Sequence, residues 1–344
     1  MSKIRVAING AGRIGRAFYK VSRNRPELEI VAMNDLASIE NIAYLLKYDT
    51  AYGISDFDVK VSEDKKTLII DGVEIKYLSE KEPTALPWKD LNIDVVVEST
   101  GRFTKFEEAK VHLDAGAKKV VISAPAKDEP LADIPSATVL LGINDDKLAT
   151  CTITSNASCT TNAASPVIAI LGETIGIEKA ILNTVHGYTA SQGIVDGPNK
   201  KDFREGRAAA QNIVPSSTGA AIAVTKVLPD LKNKFDGISI RVPVVAGSIA
   251  DVTFIAKRDT TVEEVNEILK KAAADSRWKG IFTVTEEDLV SSDIVGNPHA
   301  SIADLSFTRV VGGNLVKVLA WYDNEMGYTY TLVEHVIKAG SSIK

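Results

Sequence analysis

Cysteine is scarce in this chain. Only Cys151 and Cys159 occur in 344 residues, which excludes a disulfide framework and a four-cysteine zinc site. Histidine is nearly as rare: His112, His186, His299 and His335 are scattered without the spacing of metal ligands, so no metal site is expected. No stretch approaches the roughly 18 uninterrupted apolar residues of a spanning helix. The opening "MSKIRVAING" reads as a strand, not as a charged start followed by the apolar core of a secretion signal. No basic excess is present either, since the net charge is −5. Neither nucleic acid nor an anionic membrane is therefore an expected partner, although a local basic site for a small anion is compatible with that balance. There is no internal repeat and no low-complexity tract. The expectation is a soluble cytoplasmic protein. Its composition, 45% hydrophobic and 25% charged, supplies cores for two domains.

What is present changes character near Asn156. Before it, apolar β-rich runs alternate with helical patterns. The strands read are "IRVAIN" (4–9), "LEIVAMN" (28–34), "DVVVEST" (94–100), "KKVVISAP" (118–125), "ATVLLGIN" (137–144) and "TITSNA" (152–157). A helix is expected from about Arg13 to Asn24 and another over "FEEAKVHLDAG". Nearly continuous Val/Ile strands separated by helices imply a parallel sheet covered on both faces. After Asn156 a long strand, "EKAILNTVHGY", precedes a polar loop from about Thr189 to Pro215. Helical "TGAAIAVTKVL" follows, then strands "GISIRVPV" and "SIADVTFIAKR", read as neighbours, and the amphipathic helix "TVEEVNEILKKAAAD". That order implies an α+β domain on a mostly antiparallel sheet. The expected fold is α/β: a Rossmann dinucleotide-binding domain over 1–157, a catalytic domain over 158–322, and a C-terminal helix over 323–344.

"NGAGRIGR" supplies Gly10, Gly12 and Gly15 between a strand and a helix. Glycines at this spacing let backbone approach a pyrophosphate, whose charge the helix N-terminus attracts. Asp35 ends the second strand, 20 residues after Gly15. An acid there holds the ribose hydroxyls of NAD and repels the extra phosphate of NADP. The bland alternative is a glycine turn that binds no nucleotide.

"SNASCTTNAASPV" (155–167) places Cys159 between a strand and a helix. A helix N-terminus favours a thiolate, so a lowered thiol pKa is expected there, and its N–H groups can hold an oxyanion. Ser158, Thr160 and Thr161 add hydroxyls to the same helix start. Buried inert cysteine with Ser/Thr capping is the alternative. His186, at the end of "ILNTVHGYT", has the chemistry of a base for that thiol. The 27 residues between them fix no distance.

"INGAGRIGR", "NDL", "LLKYDT", "STGRF", "KKVVISAPAK", "SNASCTTNAASPV", "HGYTASQGIVDGP", "SSTGAA", "RVPV" and "WYDNEMGYT" occur in this order. Over roughly residues 2 to 339 the sequence resembles the phosphorylating glyceraldehyde-3-phosphate dehydrogenases. The resemblance implies oxidation of glyceraldehyde 3-phosphate with NAD and inorganic phosphate. Cys159 would be the nucleophile, passing through a hemithioacetal and a thioester, and His186 the base. The substrate phosphate would bind at Thr189 and Arg241. The attacking phosphate would bind at Ser158, Thr160, Thr218 and Gly219 with Arg204, for which Arg207 in "DFREGR" is a rival. Cofactor contacts would fall to Gly10, Gly12, Arg13, Ile14, Gly15, Asp35, Lys81, Thr100, Ser123 and Asn324, and the Asn324 contact implies that the C-terminal helix over 323–344 packs back on the first domain. The resemblance also implies a homotetramer, in which the loop "SQGIVDGPNKKDFREG" reaches a neighbour's cofactor.

Some positions depart from the family pattern. Lys81 stands where an arginine commonly touches the cofactor. Gly187 follows the histidine in place of serine or alanine, and Ala163 replaces a frequent second cysteine. Ala11 and Met326 replace aromatic residues. Two other functions compete: an erythrose-4-phosphate dehydrogenase, against which the block Thr218–Ala221 speaks, and a non-catalytic NAD-binding redox sensor built on Cys159.

Overall fold

The structure, a computed structural model, describes residues 3–200 and 202–343, so Lys201 of the polar loop lies outside the described residues. The chain forms two compact units. One contains the residues up to Val139, then Asn144–Ala157, and the stretch from Thr329 onward; the other contains Leu140–Ile143 and Ser158–Tyr328.

In the first unit, β1 (Ile4–Asn9), α1 (Arg13–Ser22), β2 (Leu28–Asn34) and α2 (Ile39–Lys47) come first. A two-residue ribbon, β3 (Tyr48–Asp49) and β4 (Gly53–Ile54), leads to β5 (Val59–Val61), β6 (Thr67–Ile70) and β7 (Val73–Leu78). Then come β8 (Val95–Glu98), α3 (Phe106–Ala109), α4 (Val111–Asp114), β9 (Lys119–Ile122), β10 (Ser136–Thr138) and β11 (Ile153–Ser155). Nine strands form one sheet in the order β10-β11-β9-β8-β1-β2-β7-β6-β5. From β10 to β7 the pairs are parallel; β6 and β5 add an antiparallel edge. The interior strand β8 is buried at every residue, as a sheet covered on both faces requires. Chain order reverses at β1, which pairs with β2 on one side and β8 on the other. A crevice at the C-terminal ends of such strands is where α/β proteins bind ligands.

Three details differ from the sequence expectations. The helix over "FEEAKVHLDAG" is broken into α3 and α4, because the turn at Lys110 tightens: Leu113 N donates to Lys110 O at 2.8 Å. The strand read over 137–144 closes after Thr138. Strands β5 to β7 are additional. β5 and β6 are short and pair only with local neighbours, whereas β7 alternates apolar and polar residues and also pairs with β2.

In the second unit, α5 (Cys159–Thr174), β12 (Ile177–Gly187), β13 (Val214–Ser217) and α6 (Ala220–Val227) are followed by β14 (Phe235–Val242), β15 (Ser248–Ala256), α7 (Val262–Ala273), β16 (Phe282–Thr285), β17 (Ser301–Val311) and β18 (Leu315–Tyr322). The sheet order is β13-β14-β12-β15-β18-β17-β16. Only β12–β14 and β16–β17 are parallel pairs. The expected adjacency of "GISIRVPV" and "SIADVTFIAKR" is corrected here. β12 lies between β14 and β15, parallel to one and antiparallel to the other. That insertion sets His186 of β12 opposite Arg241 of β14. β15 alternates buried and half-buried residues along its length, the signature of a sheet with one covered face. The covering layer includes α5, which is buried from Thr160 to Leu171 and packs on β12, β15, β17 and β18.

The last helix, α8 (Met326–Ser341), belongs to the first unit from Thr329 onward. There His335 is fully buried between Thr154 Oγ1 (2.7 Å from Nε2) and Asn156 Oδ1 (3.1 Å from Nδ1), which ties the helix to the end of β11. Arg25 pairs with Glu334, and Lys338 with Asp145.

Candidate active site

The glycine turn after β1 is built by close approach. Gly10 has φ +100, and a Cβ there would stand 2.7 Å from Thr100 N. A Cβ at Gly15 would lie 1.9 Å from Gly10 O. Gly12, in contrast, faces nothing within 4 Å and caps α1 without any side-chain hydrogen bond. The first N–H groups of α1 thus begin beside open space, the arrangement an anion needs. A crevice of about 220 Å³ there is lined by residues including Asn9, Gly10, Gly12, Asp35, Lys81 and Thr100. Asp35 is held by two backbone donors, Ala11 N to Oδ2 at 2.7 Å and Ala37 N to Oδ1 at 2.9 Å. Its carboxylate is therefore fixed, with acceptor capacity to spare for ribose hydroxyls. This turn, crevice and acid fit a dinucleotide.

Not every residue expected at the cofactor lines that crevice. Arg13 turns its guanidinium to Asp49 at 2.9 Å. Ile14 is half-buried on α1, and Gly15 serves helix packing. Ser123 follows β9, its N–H donating to Glu98 O. Asn324, in the second unit, is buried and accepts a hydrogen bond from Ser248 Oγ at 2.9 Å, which orients its amide.

The left-handed turn at Ala157 (φ 55) carries the chain from β11 into α5, and Ser158 caps the helix by accepting from Thr161 N at 3.1 Å. Cys159 is the first helical residue. Its Sγ lies 3.4 Å from His186 Nε2, so the structure joins the two residues whose spacing left their distance open. His186 Nδ1 has two rival partners: Gly187 O at 2.6 Å and Arg241 Nη1 at 2.7 Å. A guanidinium can only donate. If Nδ1 accepts from Arg241, the ring proton sits on Nε2. If Nδ1 donates to Gly187 O, the Nε2 lone pair faces the thiol. Only the second tautomer can take the thiol proton.

The expected lowering of the thiol pKa is not what the surroundings produce. Burial pushes the Cys159 thiol up, against opposing pulls from the Arg241 charge and nearby backbone N–H groups. His186 is pushed down to about 3 by burial, then by Arg241. Each group alone is neutral near pH 7. Proton transfer across 3.4 Å would create two charges that compensate each other, so the pair titrates as a unit.

The hydroxyls around α5 divide into two sets. Thr160 Oγ1 contacts Tyr322 OH at 2.8 Å, Tyr322 OH contacts Thr184 Oγ1 at 2.7 Å, and Thr184 Oγ1 donates to Ile249 O at 3.2 Å. The carbonyl can only accept, which directs the chain of protons from Thr160 inward. The Thr160 proton is therefore committed to Tyr322 and not to an exposed anion. Ser158 Oγ contacts Thr161 Oγ1, which reaches Ala220 O at 3.5 Å and so brings together the N-termini of α5 and α6. Gly219 caps α6, where a Cβ would meet nothing within 4 Å, and Thr218 Oγ1 accepts from Ala220 N at 3.2 Å. Thr189 Oγ1 contacts Ser191 Oγ. The rival arginines are both held within their own loop: Arg204 by Asp202 and Arg207 by Asp196. Tyr322 and Ser248 escaped the sequence reading, since a buried Tyr or Ser on a strand carries no local signal. Gly187 is explained by packing: a Cβ would stand 2.9 Å from Val244 O. Among the described residues no group of three or more His, Cys, Asp or Glu side chains is placed to hold a metal ion.

Comparison with known proteins decides the family. Residues 158–324 match the model described as glyceraldehyde 3-phosphate dehydrogenase, C-terminal domain, and residues 4–106 match the NAD binding domain of the same family. The chain belongs to the glyceraldehyde-3-phosphate dehydrogenase family. Similar curated relatives carry that name. The glyceraldehyde-3-phosphate dehydrogenase of Streptomyces coelicolor is 48% identical over 343 residues, covering 99% of both chains. Those of Mycobacterium avium and Mycolicibacterium smegmatis are each 48% identical, again over 99% of both chains. In the terms of this dehydrogenase family, the crevice lies in the NAD-binding Rossmann part. Cys159, His186, Arg241 and Asn324 lie in the C-terminal domain.

Proposed function

We infer that the protein is an NAD-dependent phosphorylating dehydrogenase that converts glyceraldehyde 3-phosphate and inorganic phosphate to 1,3-bisphosphoglycerate. The observation that carries this reading is the contact of Cys159 Sγ with His186 Nε2 at a helix N-terminus, beside Arg241. In this reading Cys159 adds to the aldehyde carbon, and its proton passes through His186 Nε2 to the aldehyde oxygen, giving a hemithioacetal. The N–H groups at the start of α5 stabilise the oxygen as charge develops on it. NAD, held by the glycine turn and Asp35, supplies the two-electron acceptor. His186 takes the hydroxyl proton as the hemithioacetal carbon becomes a thioester. Phosphate then attacks the thioester carbonyl. The C–S bond breaks, an acyl phosphate leaves, the proton on His186 returns to Cys159, and the proton carried by the attacking phosphate passes to solvent.

Arg241 has two duties in this reading. A substrate phosphate that draws its guanidinium away leaves His186 Nδ1 to Gly187 O, and the Nε2 lone pair then faces the thiol. Thr189 joins it at the substrate phosphate. Ser158, Thr218 and Gly219 receive the attacking phosphate at the converging starts of α5 and α6. Thr160 acts through its hydroxyl chain to Tyr322, and either Arg204 or Arg207 must leave its aspartate to contribute.

A cytoplasmic homotetramer completes the proposal. Among the described residues no helix is long and apolar enough to cross a membrane. Ile181, Ile222 and Ile238 are more than half exposed, and Phe203 in the long loop is 86% exposed. Exposed apolar surface of that kind is what subunit contact covers. The function is tested by NADH formation with purified protein, NAD and phosphate. Glyceraldehyde 3-phosphate should be the preferred aldehyde; a higher kcat/KM for erythrose 4-phosphate would overturn the substrate assignment.

A further inference from the structure

The floor of the nucleotide crevice rests on a buried pair that takes no part in the chemistry at Cys159. Glu98, the last residue of β8, and His112, in α4, are 2% and 0% exposed. His112 Nδ1 lies 3.1 Å from the indole nitrogen of buried Trp88. An indole N–H can only donate. His112 Nδ1 must therefore accept, and its ring proton sits on Nε2. That proton is directed to Glu98 Oε2 at 2.9 Å. Trp88 thus selects the one tautomer that bonds to Glu98.

The other three donors to Glu98 all come from crevice-lining residues. Asn9 Nδ2 donates to Oε2 at 2.6 Å; Thr100 N and Thr100 Oγ1 donate to Oε1 at 2.9 and 2.5 Å. Asn9 Oδ1 in turn accepts from Asn34 Nδ2 at 2.7 Å, and Asn34 exchanges hydrogen bonds with the backbone of Glu80. Asn9, Asn34, Glu80 and Thr100 all line the crevice, as does Phe103, whose ring meets His112 edge-on at 6.2 Å. Thr100 N is also the atom against which Gly10 is packed. A shift of Glu98 would therefore move both walls of the crevice and the floor of the glycine turn together.

We propose that Trp88, His112 and Glu98 form a positioning relay for the dinucleotide: Trp88 fixes the His112 tautomer, His112 fixes Glu98, and Glu98 holds Asn9 and Thr100 in their binding geometry. The proposal rests on the crevice binding NAD. Core packing alone would have been served by apolar side chains, which need no directed partners. A relay instead makes affinity depend on a proton position that the ligand itself does not touch.

Calorimetric titration of the full-length protein with NAD tests this, alongside the rise in Tm that a fixed NAD concentration produces. His112→Leu removes the donor to Glu98 and should weaken NAD binding about tenfold, the cost of one buried hydrogen bond to a carboxylate. His112→Gln keeps an amide donor at the Nε2 position and should bind within about threefold of the unaltered protein. Trp88→Phe keeps the packing, releases the tautomer, and should weaken binding about three- to fivefold. The NAD-induced rise in Tm should shrink in the same order. If His112→Leu does not fold, Trp88→Phe against His112→Gln decides. Equal NAD affinity in Trp88→Phe and the unaltered protein, with only the ligand-free Tm lowered, would reduce the pair to core structure and overturn the relay. No NAD binding by the unaltered protein would overturn the crevice assignment, and the relay with it.

Discussion

His112 and His186 are both buried, one in each unit, and they are bonded in opposite ways. His112 Nδ1 accepts from an indole donor, which fixes the ring proton on Nε2; there the Glu98 carboxylate accepts it at 2.9 Å, with the Asn9 amide nitrogen farther off at 3.4 Å. His186 has a thiol on Nε2 and two incompatible partners on Nδ1. The first arrangement has a single satisfactory proton position and so acts as a scaffold. The second has two, separated by the movement of one arginine, and so can shift a proton during a reaction. Burial does not distinguish structure from chemistry here. What distinguishes them is whether the hydrogen bonding around the ring is finished.

The largest effect should come from the thiol. Cys159→Ser is expected to lower kcat at least about a thousandfold, because an alcohol leaves far more reluctantly than a thiol and is a poorer nucleophile. A steady-state rate near that of the unaltered protein would remove Cys159 from the mechanism. His186→Asn should lower kcat by roughly 10²–10⁴-fold, the usual range for a general base. It should also raise the pH at which iodoacetamide alkylates Cys159. An unmoved alkylation profile would mean that the 3.4 Å contact carries no proton.

A smaller effect separates buried neutral histidines from charged ones. His335 is pushed down to about 3 by burial, then by Lys119 and Lys338. Its folded pKa therefore lies below its unfolded value near 6.5. As pH falls below about 6.5 the unfolded chain binds the proton first, and stability is lost progressively toward about pH 3. By about pH 5 this one group should cost about 2 kcal/mol relative to neutral pH. Urea unfolding at the two pH values measures it, and His335→Gln should shrink the difference; an undiminished difference would place the effect elsewhere. The smallest change is Tyr322→Phe. It strands the Thr160 hydroxyl, while Thr184 keeps its bond to Ile249 O, and should cost about 1–2 kcal/mol of stability. It also leaves the Thr160 proton without its inward acceptor, so kcat should change by only a few-fold while Tm falls. A loss of kcat as large as that of His186→Asn would make the tyrosine a participant in proton transfer.

The two sheets differ in how much of them could be read in advance. The parallel sheet announces itself, because "IRVAIN", "LEIVAMN" and "DVVVEST" must be apolar on both faces. The second sheet is covered on one face only. Its strands β16 to β18 carry mixed residues such as "SIADLSFTRVV", and the insertion of β12 between β14 and β15 leaves no local trace. The site divides in the same way. Gly10, Gly12, Asp35 and Cys159 stand at turns between elements, where residue type and position together imply chemistry. The pairing of His186 with Cys159, the rival claim of Arg241 on Nδ1 and the inward proton of Thr160 all depend on tertiary contacts. The helix-start expectation of a lowered thiol pKa failed for a related reason. Helix position is visible in sequence, while the burial that opposes it is not.

The most direct measurement omits phosphate. Protein mixed rapidly with NAD and glyceraldehyde 3-phosphate should release a burst of about one NADH per Cys159 and then stall, with phosphate restoring turnover, since the acyl group waits on sulfur until phosphate removes it. Continuous NADH production at the full rate without phosphate would contradict a thioester intermediate reserved for phosphorolysis.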